Sequence, residues 1–539
     1  MYEITFQFEN GAQEVKFSAA PGSTILEAAK SANVAIDAPC NGNGSCGKCR
    51  VKLVSGEVTG VQTGHISDED YAAGWRLSCS TKPAGDITVL VPDIASAYQS
   101  RMKTADLSSG EEIAIFNQLQ QDVQAAGVDF TNDFVQAVLT LDEPTLDDTM
   151  PDTERLARFA QDVFDGCTEV KLTYHTVKKL AKTLREANFK VQIAGTLTDG
   201  VLTIMDVSEK EDAPLYGCAI DIGTTTVTGV LMDLKTGTLT AKASAGNGQI
   251  RYGADVISRI QQALAGEMEA QTRLIREQMG ALLGDACRQA GVLPETVGVI
   301  SVVGNPCMQQ LFLGIMPENL AKIPFAPVLT KAEVGEAGDI FPCCPHAALV
   351  TVPDISGYVG ADTVGCVLAS GLDREEKRTL LVDIGTNGEM VLGNRERMIA
   401  CATAAGPALE GAKIRFGVRG EPGAIDHAAL VGNTLSLSVI GGGEAAGICG
   451  SGLIDIAAVL LDAGVVNARG RLAEPGTALP LGDRIFETEG QRCFRLTDSV
   501  YLTQDDIRQL QMAKGAIASG IELMAAQLGG GVETIERVL

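Results

Sequence analysis

Ala219-Ile-Asp221-Ile-Gly223-Thr224-Thr225-Thr226 and Leu381-Val-Asp383-Ile-Gly385-Thr386-Asn387-Gly388-Glu389 decide how the larger part of this chain folds. Each reads as an apolar, β-branched strand that ends in an acid, a glycine turn and a run of hydroxyl or amide side chains. Such a strand end gathers a carboxylate, backbone N–H groups and hydroxyls at one point. That combination suits a nucleotide: amides and hydroxyls hold phosphate oxygens, and the carboxylate orients Mg²⁺ or its waters. A single Asp-Gly turn is common and carries no chemistry by itself. Two copies, separated by a stretch long enough for a lobe, predict a two-lobed fold with one phosphate motif in each. From Tyr216 onward the composition shifts to glycine, alanine and valine, the mark of α/β structure with strands buried on both faces. The segment Gly360 to Gly371, just before the second motif, reads as a helix.

Upstream lies a motif of different chemistry. Cys40-Asn-Gly-Asn-Gly-Ser-Cys46-Gly-Lys-Cys49 and the distant Cys79 give the spacing C-x5-C-x2-C-x29-C. Four thiolates hold an iron–sulfur cluster when the backbone wraps closely, and Gly42, Gly44 and Gly47 leave the loop free of bulk there. Zinc is the competing reading, but structural zinc sites usually show two separated C-x2-C knuckles. A bare structural cluster of cysteines is a further alternative. Around the loop, residues 2–8 alternate as a half-buried strand, Glu9-Asn10-Gly11 is a turn signal, and residues 13–17 make a return strand. Thr24 and Glu27 have capping-box spacing before a short helix. Residues 51–54 and 87–91 read as further strands, and the whole as a β-grasp domain over residues 1–94, with Trp75 packed beside the cysteines.

Residues 95–110 are small and polar and read as a flexible linker. Residues 111–215 read as helical and then strand-like, a small α/β linker domain, with an amphipathic helix over 180–187 and a strand over 201–207. Between Asp142 and Glu154 there are six acidic residues and no basic one, read as a solvated loop, with docking of a basic partner as the alternative. The third domain covers residues 216–539, so the fold class is multidomain α+β and α/β. With 45% hydrophobic and 21% charged residues, the 539-residue chain has ample material for cores, which excludes wholesale disorder. A net charge of −25 argues against a nucleic-acid partner. No apolar run approaches the roughly 18 residues of a membrane span, and the N-terminus lacks the features of a signal peptide. These readings place the protein in the cytoplasm, away from membranes, where disulfides are rare. The ten cysteines from Cys167 to Cys493 then read as small core hydrophobes, and the adjacent pair Cys343-Cys344 has no assigned role.

The cysteine loop resembles that of the [2Fe–2S] ferredoxins, with a first gap of five residues that lies between the plant-type and adrenodoxin-like patterns. The duplicated turns resemble the phosphate motifs of the acetate-kinase, sugar-kinase, Hsp70 and actin superfamily, in which residues 360–371 would be the helix connecting the lobes. Further stretches sharpen the likeness: Val303-Gly304-Asn305-Pro-Cys-Met308, Cys401-Ala-Thr-Ala-Ala-Gly406-Pro407-Ala-Leu-Glu410-Gly411, Gly447-Ile-Cys449-Gly450-Ser451-Gly452 and Gln504-Asp505-Asp506-Ile507-Arg508 with Ala513-Lys514. Nearly the whole chain resembles the reductive activators of corrinoid proteins. That resemblance implies an enzyme that uses ATP to return a corrinoid methyl-carrier protein from Co(II) to Co(I), fed by a low-potential electron donor, with a homodimer as one assembly. It implies that Cys40, Cys46, Cys49 and Cys79 ligate a [2Fe–2S] cluster. Asp221 and Asp383 would organise Mg²⁺ and the attacking water, and Gly223, Thr224, Thr225, Thr226, Gly385, Thr386, Asn387 and Gly388 would contact the phosphates of ATP. Glu389, Glu410 and Glu444 are rivals for activating the water, each with an alternative as a surface or hinge carboxylate. Gly304-Asn305 and Gly450-Ser451-Gly452 line the cleft or make tight strand–helix turns. A plant-type centre sits near about −400 mV; Co(I) generally demands a lower potential, hence the nucleotide.

Two rivals accompany this reading. An activator of a radical dehydratase would bridge two subunits with a [4Fe–4S] cluster and needs one or two cysteines per chain in the ATPase domain, whereas here the cysteine motif is a domain of its own. The other rival is a nucleotide-switched protein whose cluster is structural or sensory. The last segment departs from the superfamily pattern, in which a strand ends in a glycine pair that holds the adenosine and a closing helix follows. Here a helix over residues 511–526 precedes Gly529-Gly530-Gly531, and residues 532–539 open a strand. The expectation is that the end of the ATPase domain is missing, by truncation or naturally, and that adenine finds few contacts.

Overall fold

The structure, a computed structural model, describes the chain except residues 9–13, 21, 33, 35, 37–48, 61, 63–65, 93–109, 126, 128–133, 211–213, 254, 386, 412, 419, 421 and 433. The expected hairpin turn at residues 9–11, the cysteine loop up to Gly47 and nearly all of the expected linker lie outside the described residues. The chain forms two compact units: Met1–Thr104 with Gly248–Ala265 and Leu372–Leu539, and Ala105–Asn247 with Gly266–Gly371. Among the described residues no helix is long and apolar enough to cross a membrane.

The first unit opens with β1 (Tyr2–Phe8), β2 (Val15–Ala19), α1 (Ile25–Ser31), β3 (Arg50–Ser55), β4 (Val58–Thr59), α2 (Asp68–Ala72), β5 (Trp75–Leu77), β6 (Lys82–Pro83) and β7 (Ile87–Val91). Five of the strands form a sheet in the order β2-β1-β7-β3-β5, with β1 antiparallel to β2 and parallel to β7. Alternation puts Ile4 and Phe6 on the face that packs against Ile25, Ala28 and Ala29 of α1. The capping box forms as read: the Glu27 N–H donates to Thr24 Oγ1 (3.1 Å), and the Thr24 N–H donates to the Glu27 carboxylate (2.8 Å). This is the expected β-grasp arrangement.

The second unit begins with α3 (Gly110–Ala125), β8 (Phe134–Thr140), α4 (Asp152–Val163), β9 (Glu169–Leu172), α5 (Tyr174–Glu186), β10 (Lys190–Thr198) and β11 (Val201–Ser208). The sheet order is β8-β10-β11-β9. Helices and strands therefore interleave, which corrects the reading of a helical stretch followed by strands. The acidic stretch is a loop, but two of its acids are structural. Asp148 pairs at 2.7 Å with the guanidinium of Arg155, which is 2% exposed, and Asp152 pairs at 2.7 Å with Arg185.

The unit continues with β12 (Tyr216–Ile222), β13 (Thr226–Asp233), β14 (Thr238–Gly246), α6 (Met268–Ala290), β15 (Val297–Gly304), α7 (Pro306–Leu313), β16 (Glu333–Glu336), β17 (Ala348–Thr351) and α8 (Ala361–Ser370). Six strands form one sheet in the order β14-β13-β12-β15-β17-β16. On β12, Cys218, Ile220 and Ile222 are buried, while Ala219 and Asp221 take the other, open face. The buried face meets α6 so closely that a Cβ on Gly229 would lie 2.3 Å from Leu282 Cδ2 and would have to displace the tip of that side chain.

After residue 372 the first unit resumes with β18 (Thr379–Ile384), β19 (Gly388–Asn394), β20 (Arg397–Thr403), β21 (Ala424–Val431), β22 (Thr434–Val439), β23 (Gly447–Ile448), α9 (Gly450–Asp462), β24 (Ile485–Thr488), β25 (Gln491–Arg495), β26 (Tyr501–Thr503), α10 (Gln504–Gln527) and β27 (Arg537–Val538). They make three sheets, β20-β19-β18-β27, β22-β21-β23 and β24-β25-β26. Helix α10 starts at Gln504 rather than at Gln511, because Thr503 and Asp506 cap it reciprocally (3.1 and 2.8 Å). The strand expected after the glycine turn is β27, parallel to β18.

One buried acid ties the start of α8. Gly360 has no side chain to cap the helix, and Asp354 reaches in instead: its Oδ1 accepts from the Ala361 N–H at 2.9 Å. Asp354 is 8% exposed and its Oδ2 has no partner. Burial pushes its carboxyl up to about 7; Asp362 nearby adds to this, and the Ala361 hydrogen bond opposes it. An unfolded carboxyl titrates near about 4, so the folded chain holds this proton more tightly. The group's contribution to stability is then present at low pH and lost as pH rises from about 4 to about 7. Asp354→Asn keeps an acceptor for Ala361 and cannot ionise. Thermal melts should show the variant more stable than the parent at pH 8 and equal to it near pH 4. A parent advantage that persists at pH 8 would show that the charged carboxylate is the stabilising form.

Candidate functional site

In the second unit the first motif is built on a polar row. Asp221 on β12 stands opposite Thr228 on β13, and Thr228 opposite Ser244 on β14, with the two hydroxyls 3.0 Å apart. Cross-strand partners share a face, so these groups line the open side of the sheet. The turn from Gly223 to Thr225 is tied from two sides. Asn247 Nδ2 donates to the Gly223 carbonyl and the Asn247 N–H to the Thr225 carbonyl, both at 2.8 Å. Asn305 Nδ2 donates to Thr224 Oγ1 at 2.9 Å, while its Oδ1 accepts the Met308 N–H at 3.1 Å and so caps α7. A Cβ on Gly223 would sit 2.5 Å from the Thr226 carbonyl oxygen, so the turn closes only with glycine. Asn247 escaped the sequence reading, although Asn247-Gly248 at the end of a strand is a turn signal.

In the first unit the second motif is the hairpin between β18 and β19. Asp383 stands opposite Glu389 and Ile384 opposite Gly388, and the Gly385 N–H donates to the Asn387 carbonyl at 2.9 Å. Glu410 Oε1 comes within 3.7 Å of the position a Cβ on Gly385 would take. Asp383 and Glu389 thus face each other across the hairpin, and Glu410 approaches its turn from outside the motif. Burial raises the Asp383 carboxyl above the ordinary carboxylate range, even though the side chain keeps access to solvent. Thr386 lies outside the described residues. Glu444 is exposed on the turn between β22 and β23. Gly450 to Gly452 form a tight strand–helix turn, in which a Cβ on Gly452 would meet the Ile425 carbonyl oxygen at 2.0 Å and Ser451 Oγ donates to the Asp426 carbonyl at 2.9 Å.

The cysteine site is described at Cys49 and Cys79; Cys40 and Cys46 lie outside the described residues. Cys49 is 1% exposed, and its carbonyl accepts the Ser78 N–H at 2.8 Å. Hydrogen bonding from the Cys79 side chain outweighs burial, which would raise the thiol, and holds it at about 6. Ile66 and Leu77 wall the site, with Tyr71 and Trp75 partly buried against them, so Trp75 packs where it was expected. The Arg50 guanidinium lies 5.3 Å from the centre of the Trp75 ring. A buried sulfur kept as thiolate at neutral pH, beside a second sulfur, fits a thiolate-bound iron–sulfur group. Among the described residues no three His, Cys, Asp or Glu side chains gather as a metal site.

Residues 216–375 match the RACo middle region, residues 377–539 the C-terminal domain of RACo, the ASKHA domain, and residues 123–213 the RACo linker region. Residues 8–84 match the 2Fe-2S iron–sulfur cluster binding domain. A solved structure described as a reductive activator for corrinoid, iron–sulfur protein superimposes with a TM-score of 0.67 at 30% identity, covering 100% of this chain and 85% of that one. The corrinoid activation enzyme RamQ of Eubacterium limosum is 35% identical over 337 residues, 60% of this chain and 56% of RamQ. The [Co(II) methylated amine-specific corrinoid protein] reductase of Methanosarcina barkeri is 27% identical over 354 residues, 60% of this chain and 62% of the reductase. The chain thus spans little more than half the length of the curated relatives it matches. With an iron–sulfur domain, linker, middle region and ASKHA domain in that order, and a full-length counterpart among solved structures, this chain belongs to the family of the reductive activators for corrinoid proteins.

Proposed function

We propose that this chain is an ATP-dependent electron-transfer enzyme that returns the cobalt of a corrinoid protein from Co(II) to Co(I). The observation that carries the reading is the presence, in one polypeptide, of a buried thiol held as thiolate and two strand–turn–strand motifs suited to phosphate. The names of its relatives point the same way: one is a reductase of a Co(II) corrinoid protein, another a corrinoid activation enzyme. The reading sets the enzyme in the cytoplasm, with a low-potential donor on one side and a corrinoid methyl carrier on the other.

Cys40, Cys46, Cys49 and Cys79 are the set that would hold a [2Fe–2S] cluster. When bound, such a cluster supplies single-electron transfer near about −400 mV. Cys49, covered by Ile66 and Leu77, keeps its sulfur away from water. Asn247 and Asn305 hold the turn in which Thr224, Thr225 and the neighbouring N–H groups would meet phosphate oxygens. At the second motif, Asp383 and Glu389 stand directly opposite, an arrangement that like charges disfavour and a divalent cation relieves. Asp221 and Asp383, each at its own motif, are the acids that would organise Mg²⁺ and the attacking water, with Glu389, Glu410 and Glu444 as rivals for activating that water. Reduction of Co(II) lies uphill from a donor at this potential, and nucleotide binding or hydrolysis is the source of the difference.

Anaerobic mixing of the chain, a low-potential donor and a Co(II) corrinoid protein should give the Co(I) absorption spectrum only when Mg-ATP is present. Equal reduction without nucleotide would overturn the ATP-dependent reading. Cys79→Ser should lose most of the bound iron and Cys167→Ser should keep it, by iron and sulfide analysis; full iron in Cys79→Ser would remove the fourth ligand from the set. Asn305 separates stability from nucleotide binding. Asn305→Asp keeps the cap of α7 but no longer donates to Thr224, so Mg-ATP affinity by calorimetry should fall about tenfold with little change in melting temperature. Asn305→Ala should show the same loss of affinity plus about 1 kcal/mol of destabilisation. Unchanged affinity in both would take Asn305 out of the phosphate site.

A further inference from the structure

Cys343 and Cys344 lie on the loop Phe341-Pro-Cys-Cys-Pro-His346, just ahead of β17. Neither is accounted for by the ATPase or the iron–sulfur site. Their Sγ atoms are 3.8 Å apart. Cys344 is fully buried, and its S–H reaches the Pro294 carbonyl at 3.1 Å; Cys343 is only half-buried. Pro342 and Pro345 fix φ on both sides of the pair, which limits the ways in which the thiols can part. A cysteine that merely fills a core touches carbon; here each sulfur touches the other.

The surroundings divide the pair into two roles. Cys218 of β12 and Cys287 of α6 interact electrostatically with the pair, and burial pushes these two thiols up to about 12 and about 11, so both stay protonated. Cys344 is likewise displaced upward, first by its hydrogen bond with Cys343 and then by burial. Cys343 is displaced the other way, to about 7, because the Cys344 S–H stabilises its thiolate. One sulfur is therefore a partly open nucleophile, and its neighbour is a protonated thiol in contact with it.

We propose that Cys343 and Cys344 form a reversible two-electron redox site whose oxidant is a low-molecular-weight disulfide. The Cys343 thiolate attacks the disulfide, forming a mixed disulfide and expelling one small thiolate. Cys344 then attacks Cys343 Sγ, the intramolecular S–S bond forms, and the second small thiol leaves with the Cys344 proton. From the thiolate–thiol pair the protein loses two electrons and one proton, and the small disulfide becomes one small thiolate and one small thiol. Adjacent Cα atoms are about 3.8 Å apart, inside the lower bound of about 4.4 Å for ordinary disulfides, so the bond belongs to the readily reduced class. Oxidation removes the S–H that serves the Pro294 carbonyl. It also moves the loop that carries His346, whose ring meets that of His175 on α5 edge-on with centroids 3.9 Å apart. The redox state of the pair is thus registered where the linker helix α5 meets this loop.

The test uses the full-length protein with its cluster, under nitrogen, treated with oxidised glutathione, quenched by alkylation and mapped by mass spectrometry. The segment with Cys343 and Cys344 should lose the mass of two hydrogen atoms, escape alkylation and return to the dithiol with dithiothreitol. In Cys344→Ser a glutathione adduct should persist on Cys343, and in Cys343→Ser the reaction at this segment should slow at least about tenfold. Melting curves of both variants close to the parent's would show that the loss is chemical and not a failure to fold. Hydrogen exchange over residues 174–180 should quicken on oxidation. Two thiols that alkylate equally fast before and after treatment, a stable adduct on Cys343 of the parent, or exchange unmoved by oxidation would each overturn the proposal.

Discussion

The turn after β12 depends on the carboxamide of Asn305. Asn305 donates to Thr224 with one end and caps α7 with the other, so the same side chain that starts a helix also orients a hydroxyl on the opposite strand turn. The amide carries its donor and its acceptor on two separate atoms, so it serves both partners at once. A carboxylate caps as well but gives no donor, and an alanine does neither. With Asn247 closing the turn from the other side, Gly223 to Thr225 are held by directed hydrogen bonds, which suits a site where the backbone must approach phosphate closely.

The cysteine site shows a contest between burial and hydrogen bonding. Cys218 and Cys287 are buried and their thiols are driven up, as desolvation of the charged form requires. Cys49 is buried too, yet its thiol moves down, because the Cys79 side chain beside it favours the thiolate. The sign of the shift is set by that neighbour, not by depth. The Cys343-Cys344 pair shows both behaviours in adjacent residues.

Much of this was legible in sequence because it rests on local pattern. The Thr24–Glu27 box, the alternation of β1, the helix at α8 and the strand after Gly531 all follow from neighbours within a few residues, whereas β12, read as buried on both faces, has one open face. The site was legible as motifs, since Asp221, Asp383 and the glycines beside them sit at strand ends. What escaped depends on distance along the chain. Asn247 binds Gly223, 24 residues away, and the buried Arg155 takes the partly exposed Asp148 as its partner. Strand β8, Phe-Val-Gln-Ala-Val-Leu-Thr, has too irregular an alternation to stand out beside the helices that follow it. The start of α10 was missed because Asp506 was read as part of a motif and not as the partner of a Thr503 cap.

Asp506 does more than begin a helix. Its carboxylate takes the N–H of Thr503 and also that of Arg415, 91 residues earlier in the chain (2.8 and 2.7 Å). The capping box forms as soon as one turn of α10 does, but the Arg415 segment has to be brought back across a long loop. Closing such a loop costs entropy that grows only slowly with its length. The helix start therefore serves as a ready-made anchor, and the assembly of this lobe is paced by the arrival of a distant strand of chain at a target that is already in place.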